Sequence, residues 1–118
     1  MKTITINGRE YPSQVSILSR IAKIEWVEGK VICEEDSELV QGTCDYDTQV
    51  IKVNRTLEDP AVAEVLWHEM EHFIHWMWEN EQIEREEEDY VNHRAITFIT
   101  VARQNPGLLA WTEKMANP

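Results

Sequence analysis

The pattern of hydrophobic and polar residues changes character near Asp59-Pro60. Before that point, apolar residues alternate with polar ones or form short β-branched runs, and both patterns are typical of strands. Three such runs predict strands, at residues 3–6, 21–27 and 49–53. Asn7-Gly8 follows the first run and favours a tight hairpin turn. We therefore expect residues 1–58 to be mainly β-sheet and loops.

Two segments between the predicted strands have weaker patterns. Residues 13–20 could form a short helix. Residues 34–41 are acidic and show no period, so they predict a loop.

After Pro60 the apolar residues recur at steps of three and four, which indicates helices. One run predicts a helix at residues 60–80, and a second run predicts a helix at 83–104. The second helix would bury one stripe, formed by Val91, Ala95, Phe98 and Ala102. The breaker Asn105-Pro106-Gly107 ends it, and residues 105–118 form a tail in which Trp111 folds back as a lid on the core. Strands followed by helices predict a single α+β domain over residues 1–118, with a small twisted N-terminal β-sheet and two antiparallel helices.

Composition narrows the classes of function. The 118 residues include 22 acidic and 11 basic side chains, for a net charge of −11, which argues against nucleic-acid binding. Cys33 and Cys44 lack the spacing of a metal or redox motif, so we expect two reduced thiols. The chain shows no signal-peptide pattern and no apolar run of membrane-spanning length. We expect a cytoplasmic protein that does not enter membranes.

The first predicted helix contains His68-Glu69-Met70-Glu71-His72, which reads H-E-x-x-H. Residues four apart share a helix face, so both imidazoles can point at one ion. Zinc accepts imidazole nitrogen and keeps a position open for water in catalytic sites. Glu69 lies beside that face, where it can take a proton from the bound water. The plainer alternative is a helix that happens to carry two histidines.

A closed zinc site needs a third ligand, and the acidic run 84–89 is its natural source, although most of that run also suits a solvated helix start. If the helices run antiparallel about a turn near Asn80, His72 and Glu88 lie side by side. Glu88 also falls on the predicted apolar stripe, where a carboxylate needs a partner. We therefore predict Glu88 as the third ligand. The alternatives are Glu87, then Glu84 and His93.

Other polar residues fall near the predicted site. Asn92 follows Glu88 by one helical turn and could accept a hydrogen bond from a ligating histidine, or be an ordinary surface residue. Tyr90 and His93 could donate to a developing oxyanion. We expect His75 to be structural or exposed.

These residues resemble the motifs of gluzincin metallopeptidases, in which a glutamate ligand on the next helix follows H-E-x-x-H. The chain is similar to the very small single-domain members in phages and bacteria, the minigluzincin, SprT-like and ImmA/IrrE-like proteins, over about residues 40–111. Glu88-x-x-x-Asn92 has the gluzincin spacing, with asparagine in place of aspartate. The resemblance implies a minimal zincin-like domain that binds Zn²⁺ through His68, His72 and Glu88.

The expected function is that of a zinc metalloendopeptidase, which hydrolyses a peptide or protein substrate with a zinc-bound water activated by Glu69. The substrate could add as an extended strand to a sheet edge around residues 41–46. The alternative is a zinc-stabilised binding or regulatory protein of phage or bacterial origin with little or no proteolytic activity. The oligomeric state is left open.

Overall fold

The computed structural model describes residues 1–80 and 87–118, and the side chains of residues 1–79 and 91–118. The described residues form eight strands and three helices: β1 (Thr3–Ile6), β2 (Arg9–Pro12), β3 (Gln14–Ile17), β4 (Arg20–Val27), β5 (Val31–Ile32), β6 (Leu39–Val40), β7 (Gly42–Asp45), β8 (Val50–Asn54), α1 (Asp59–Asn80), α2 (Glu87–Gln104) and α3 (Leu108–Ala116).

The central sheet has four strands in the order β3-β4-β8-β7 and is mixed. β4 and β8 pair in parallel, and the other two pairs are antiparallel. Ile51 and Val53 of β8 are fully buried, as are Leu66 and Phe73 of α1, so α1 covers one face of this sheet. The predicted α+β class is confirmed: strands come first along the chain and helices follow.

The N-terminal hairpin forms as predicted. β1 and β2 pair antiparallel, with Ile6 opposite Arg9. Asn7 and Gly8 between them have φ angles of 52° and 79°. Two successive residues with positive φ make the type I′ turn, whose twist matches that of the strands it joins.

The helix predicted at residues 13–20 is wrong. Residues 14–17 form β3, in which Val15 and Ile17 are both fully buried and Ser16 between them is not. This alternation has the period of a strand, and β3 pairs antiparallel with β4. The predicted loop at residues 34–41 is correct except at its end, where Leu39 and Val40 form β6 and pair with β5.

The tail predicted at residues 105–118 is instead mostly the helix α3, which packs against α1. Trp111 is buried in the core, as expected for a residue that folds back. Its indole Nε1 donates a hydrogen bond of 3.0 Å to the backbone oxygen of Glu10 in β2. α3 thereby closes the N-terminal hairpin onto the rest of the molecule.

The face of α2 that packs inward differs from the predicted stripe. Val91 and Phe98 are 55% and 50% exposed, whereas Thr97 and Val101 are buried. The C-terminal end of the helix is joined to the sheet. Asn105 there accepts a hydrogen bond from the backbone N–H of Ser16 and donates one to its carbonyl, at 2.8 and 2.7 Å.

Within the described residues, none of the helices has the length and apolar character needed to cross a bilayer. Cys33 and Cys44 are both free and half-buried.

Candidate metal centre

α1 brings the two motif histidines to one position on its surface. The Nε2 atoms of His68 and His72 are 3.1 Å apart, and the two rings meet edge-on at 81°. Two nitrogens that each lie about 2.0–2.1 Å from a tetrahedral zinc ion are separated by about 3.4 Å. The observed spacing is therefore close to that of a ligand pair. Both side chains are exposed, so an ion can reach them.

Glu69 lies between this pair and the protein interior. It is only 5% exposed, yet its carboxylate lies within 4.8 Å of the ligand nitrogens of His68 and His72. Among the described residues, this is the one group of three metal-ligating side chains close enough to share an ion. Burial raises the pKa of Glu69, and the two histidines oppose that rise. No hydrogen bond to a described residue engages its carboxylate.

Gly42 in β7 allows α1 to lie close to the sheet at this point. A Cβ atom at Gly42 would lie 2.6 Å from Cγ1 of Val65 and 3.1 Å from Cγ of Glu69. Neither distance is compatible with undisturbed packing, so any larger residue would push Glu69 and the helix away from the strand. Gly42 is a functional residue that was not predicted, although its position inside a strand is a signal for a close approach of this kind.

A cleft of about 670 Å³ opens beside His72 and Glu69. Its lining includes β7 with the turn that follows it, the segment after β5, and residues of β4 and β8. Within this cleft, burial raises the pKa of the Cys44 thiol to about 12, helped by the charges of Glu69 and Asp45. Burial also raises the pKa of Tyr46, whose ring stacks on Trp76 at 5.2 Å between centroids.

A second, smaller cleft of about 300 Å³ separates α1 from α2. Trp67, Ile74 and Trp78 line it from α1, and Phe98 and Val101 line it from α2. The ion pair of Glu71 with Arg94, at 3.0 Å, connects the two helices.

The described contacts between α1 and α2 follow an antiparallel order but a different register from the predicted one. Glu71 meets Arg94, the ring of Trp67 lies 5.9 Å from that of Phe98, and Trp78 lies 6.2 Å from His93. The midpoint in sequence of each pair lies between residues 82 and 86, whereas the predicted turn was centred near Asn80. His72 therefore lies level with residues from 93 onward and not with Glu88.

The side chains of the three glutamates predicted as third ligand lie outside the described residues. Glu84 lies outside the described residues. Glu87 and Glu88 lie in the first turn of α2, and their side chains are outside the described part. Neither the predicted register nor the predicted buried stripe supports Glu88, so this assignment now depends on the gluzincin spacing alone.

The other residues that the sequence predicted near the site are Asn92, Tyr90, His93 and His75. Asn92 is exposed, and no hydrogen bond among the described residues joins it to His68 or His72. Tyr90 belongs to α2, but its side chain is outside the described part. His93 is half-buried against Trp78. His75 lies 3.9 Å from Glu71, and its ring packs near Trp78 as well.

Comparisons with protein-family models, curated proteins and solved structures found no match to the chain. The geometry of the His68–Glu69–His72 group is therefore the basis for a functional assignment.

Proposed function

We propose that the protein is a zinc-dependent metallopeptidase of the gluzincin type, in which His68 and His72 hold the ion and Glu69 is the general base. One observation carries the proposal: two imidazole nitrogens lie 3.1 Å apart with a buried carboxylate within 4.8 Å of them. Imidazole nitrogen is a preferred donor for zinc, and a site with few protein ligands leaves a position for a reactant.

The third ligand is proposed to come from the start of α2, with Glu88 first and Glu87 and Glu84 as alternatives. His93 is a further candidate, because the contacts between the helices bring it level with His72. A bound zinc ion would lower the pKa of a coordinated water and polarise the scissile carbonyl. Proton transfer would be carried out by a side chain of the protein.

Glu69 is suited to move a proton. Its burial raises its pKa, and a carboxylate of higher pKa is a stronger base for the attacking water. It can then pass the proton to the leaving amine. Because Gly42 lets Glu69 pack directly against β7, the base is held at the strand along which a peptide would lie.

β7 supports an arrangement for the substrate. It is the last strand of the four-stranded sheet, and its residues line the same cleft as Glu69 and His72. An extended peptide that adds to a sheet edge gains main-chain hydrogen bonds and a fixed direction. We expect the scissile bond to be presented to Glu69 in this way.

Metal binding is tested first. Purified protein is expected to carry about one zinc, and removal by a chelator is expected to lower the melting temperature. Restoring zinc at 100 times its Kd should stabilise the fold by about 2.7 kcal/mol. His68→Ala and His72→Ala should each abolish binding, whereas His75→Ala, on the same helix but outside the group, should retain it. Equal zinc binding by all three variants would refute the site.

Catalysis is tested on a mixture of unstructured peptides, with cleavage products identified by mass spectrometry. Glu69→Gln should retain zinc but lose roughly 10²- to 10⁴-fold in the rate of cleavage. Zinc binding without any cleavage by the wild-type chain would contradict the enzymatic part of the proposal. That outcome would favour the alternative, a zinc-stabilised binding protein, for which the apolar cleft beside the exposed Phe98 offers a surface.

A further inference from the structure

The cleft beside β7 has an unusually acidic lining. Its lining contains one lysine, Lys52, no arginine, the imidazole of His72, and six carboxylates, those of Glu25, Glu34, Glu35, Asp45, Asp47 and Glu69. The whole chain has two acidic residues for each basic one, so the lining is more acidic than the average of the chain. Within the described part of the chain, none of these six carboxylates forms an ion pair.

Two of these carboxylates, those of Asp45 and Glu69, have a role in the turn after β7 or in the proposed metal site. The structure shows no such role for the other four. Asp45 accepts hydrogen bonds from the backbone N–H groups of Asp47 and Thr48, which shapes the turn after β7. Glu69 is 95% buried at the cleft wall, without a hydrogen bond from a described residue. Glu34 and Glu35 also line the cleft and are exposed, without an ion pair to a described residue.

The carboxylates do not converge on a single point. The one described group of side chains close enough to share a metal ion is His68, Glu69 and His72, and none of the other acids in the cleft belongs to it. A lone cation would therefore leave most of this lining uncompensated. Several positive charges spaced along an extended chain would compensate it better, since each could approach a different carboxylate.

We infer that the cleft binds an extended polypeptide segment that carries several lysine or arginine side chains. Main-chain groups of the segment would pair with the edge of β7, and its basic side chains would approach carboxylates of the lining such as Glu34, Glu35 and Asp47. An acidic segment would be repelled by the same lining. The inference names the substrate class, and it rests on the proposed function for the cleavage step alone.

Binding is measured by calorimetry with Glu69→Gln protein, so that cleavage does not interfere. The probes are two ten-residue peptides, one of alternating lysine and threonine and one of alternating glutamine and threonine. The lysine peptide should bind at least tenfold more tightly at 50 mM salt. This preference should shrink at 500 mM salt, because exposed charges are screened.

A pair of double variants locates the effect in the cleft. Adding E34Q and E35Q should weaken binding of the lysine peptide roughly 3- to 10-fold, the effect of two exposed charge pairs. Adding E58Q and E113Q removes the same charge at exposed positions outside the cleft and should change the affinity less than about twofold. Equal loss in the two doubles would show that only net charge matters and would overturn the inference, as would equal or absent binding of the two peptides.

The two proposals can fail separately. If wild-type protein cleaves the lysine and glutamine peptides equally well, the peptidase proposal stands and the charge preference is wrong. If the lysine peptide binds selectively but is never cleaved, the cleft is a site for basic polypeptides and the peptidase proposal is wrong.

Discussion

Gly42 is where β7 and α1 come closest, and a single methyl group would not fit there. We predict that Gly42→Ala destabilises the protein by about 1–3 kcal/mol, the usual cost of overpacking a well-packed site. Because Glu69 is one of the residues that the added methyl group would meet, the change should also reduce zinc affinity or peptide cleavage more than stability alone explains. Urea unfolding and zinc titration measure the two effects.

Thr43→Ala is the matched control for this variant. Thr43 is the next residue of β7, and its side chain points to the opposite face of the sheet, as successive strand residues do. This variant should cost less than about 1 kcal/mol and leave the metal site intact. If the two alanine variants behave alike, the close approach at Gly42 does not position Glu69.

Cys44 should be an unreactive thiol. With a pKa of about 12, roughly one molecule in 10⁴ carries a thiolate at pH 8, and the thiolate is the reactive form. We predict that iodoacetamide labels Cys44 at least tenfold more slowly in the folded protein than in urea. Peptide mapping follows Cys33 in the same sample as an internal reference. Equal labelling rates of Cys44 in the two states would mean that its environment does not suppress ionisation.

At the residue scale, the sequence predicted the part of the site that depends on local geometry. His68 and His72 are four apart on one helix, so their proximity follows from helical periodicity alone. The roles of Gly42 and Cys44 depend on how β7 packs against α1. A glycine inside a strand indicates a close approach there, but the local sequence does not show which residue of α1 approaches it. The third ligand depends on the register between two helices, which is set by side-chain contacts such as Glu71 with Arg94.

At the scale of elements, Asn105 joins the end of α2 to the sheet. Its buried amide exchanges hydrogen bonds with both backbone groups of Ser16 and also donates to the carbonyl of Val101. We predict that Asn105→Ala costs about 1–3 kcal/mol, because it leaves buried backbone groups without partners. Equilibrium unfolding in urea measures the loss.

Asn117→Ala provides the comparison. Asn117 also donates a side-chain hydrogen bond to a helical carbonyl, that of Glu113, but it is exposed and water can replace it. Its cost should stay below about 0.5 kcal/mol, as is usual for surface substitutions. A similar loss in both variants would mean that the link between α2 and β3 contributes little.

Elements with a strong period were predicted correctly, and those with ambiguous patterns were not. α1 carries a long apolar stripe, and the first hairpin carries a turn sequence that few other structures accept. β3 is only four residues long, too short to distinguish two periods. In α2 the apolar residues do not mark a single face, and the buried face contains Thr97 and Val101 instead of Val91 and Phe98.

At the scale of the whole molecule, Arg9 and Asp59 link the first hairpin to the start of α1. The guanidinium binds both carboxylate oxygens of Asp59, and this lowers the pKa of Asp59 below its ordinary 3.8. A carboxyl group with a lowered pKa stabilises the fold above its unfolded pKa and loses that contribution as pH falls through its folded pKa. The link should thus hold at neutral pH and disappear in acid below about pH 3.8.

A double-mutant cycle with Arg9→Met and Asp59→Asn isolates the pair from other effects of each change. We predict a coupling of about 0.2–1 kcal/mol at pH 7, since the pair is largely solvated. The coupling should fall as the pH is lowered from 7 to below 3.8 and through the lower, folded pKa of Asp59. A coupling that is constant over this range would show that the ion pair makes no contribution.

The class of the fold was predictable from the order of the patterns, because strands precede helices along the chain. The closure of the molecule was not, since it depends on contacts between distant segments. Arg9 meets Asp59, fifty residues away, and Trp111 meets Glu10, 101 residues away.

The hydrogen bond from the indole of Trp111 to the backbone oxygen of Glu10 also affects how the chain folds during its synthesis. Glu10 leaves the ribosome about a hundred residues before Trp111, which at 5–20 residues per second is roughly 5–20 s. During that interval the first hairpin lacks the helix that covers it, and α1 lacks α3 from the time it is synthesised. The nascent chain therefore exposes apolar surface until α3 has emerged, and chaperone binding should be strongest in that interval.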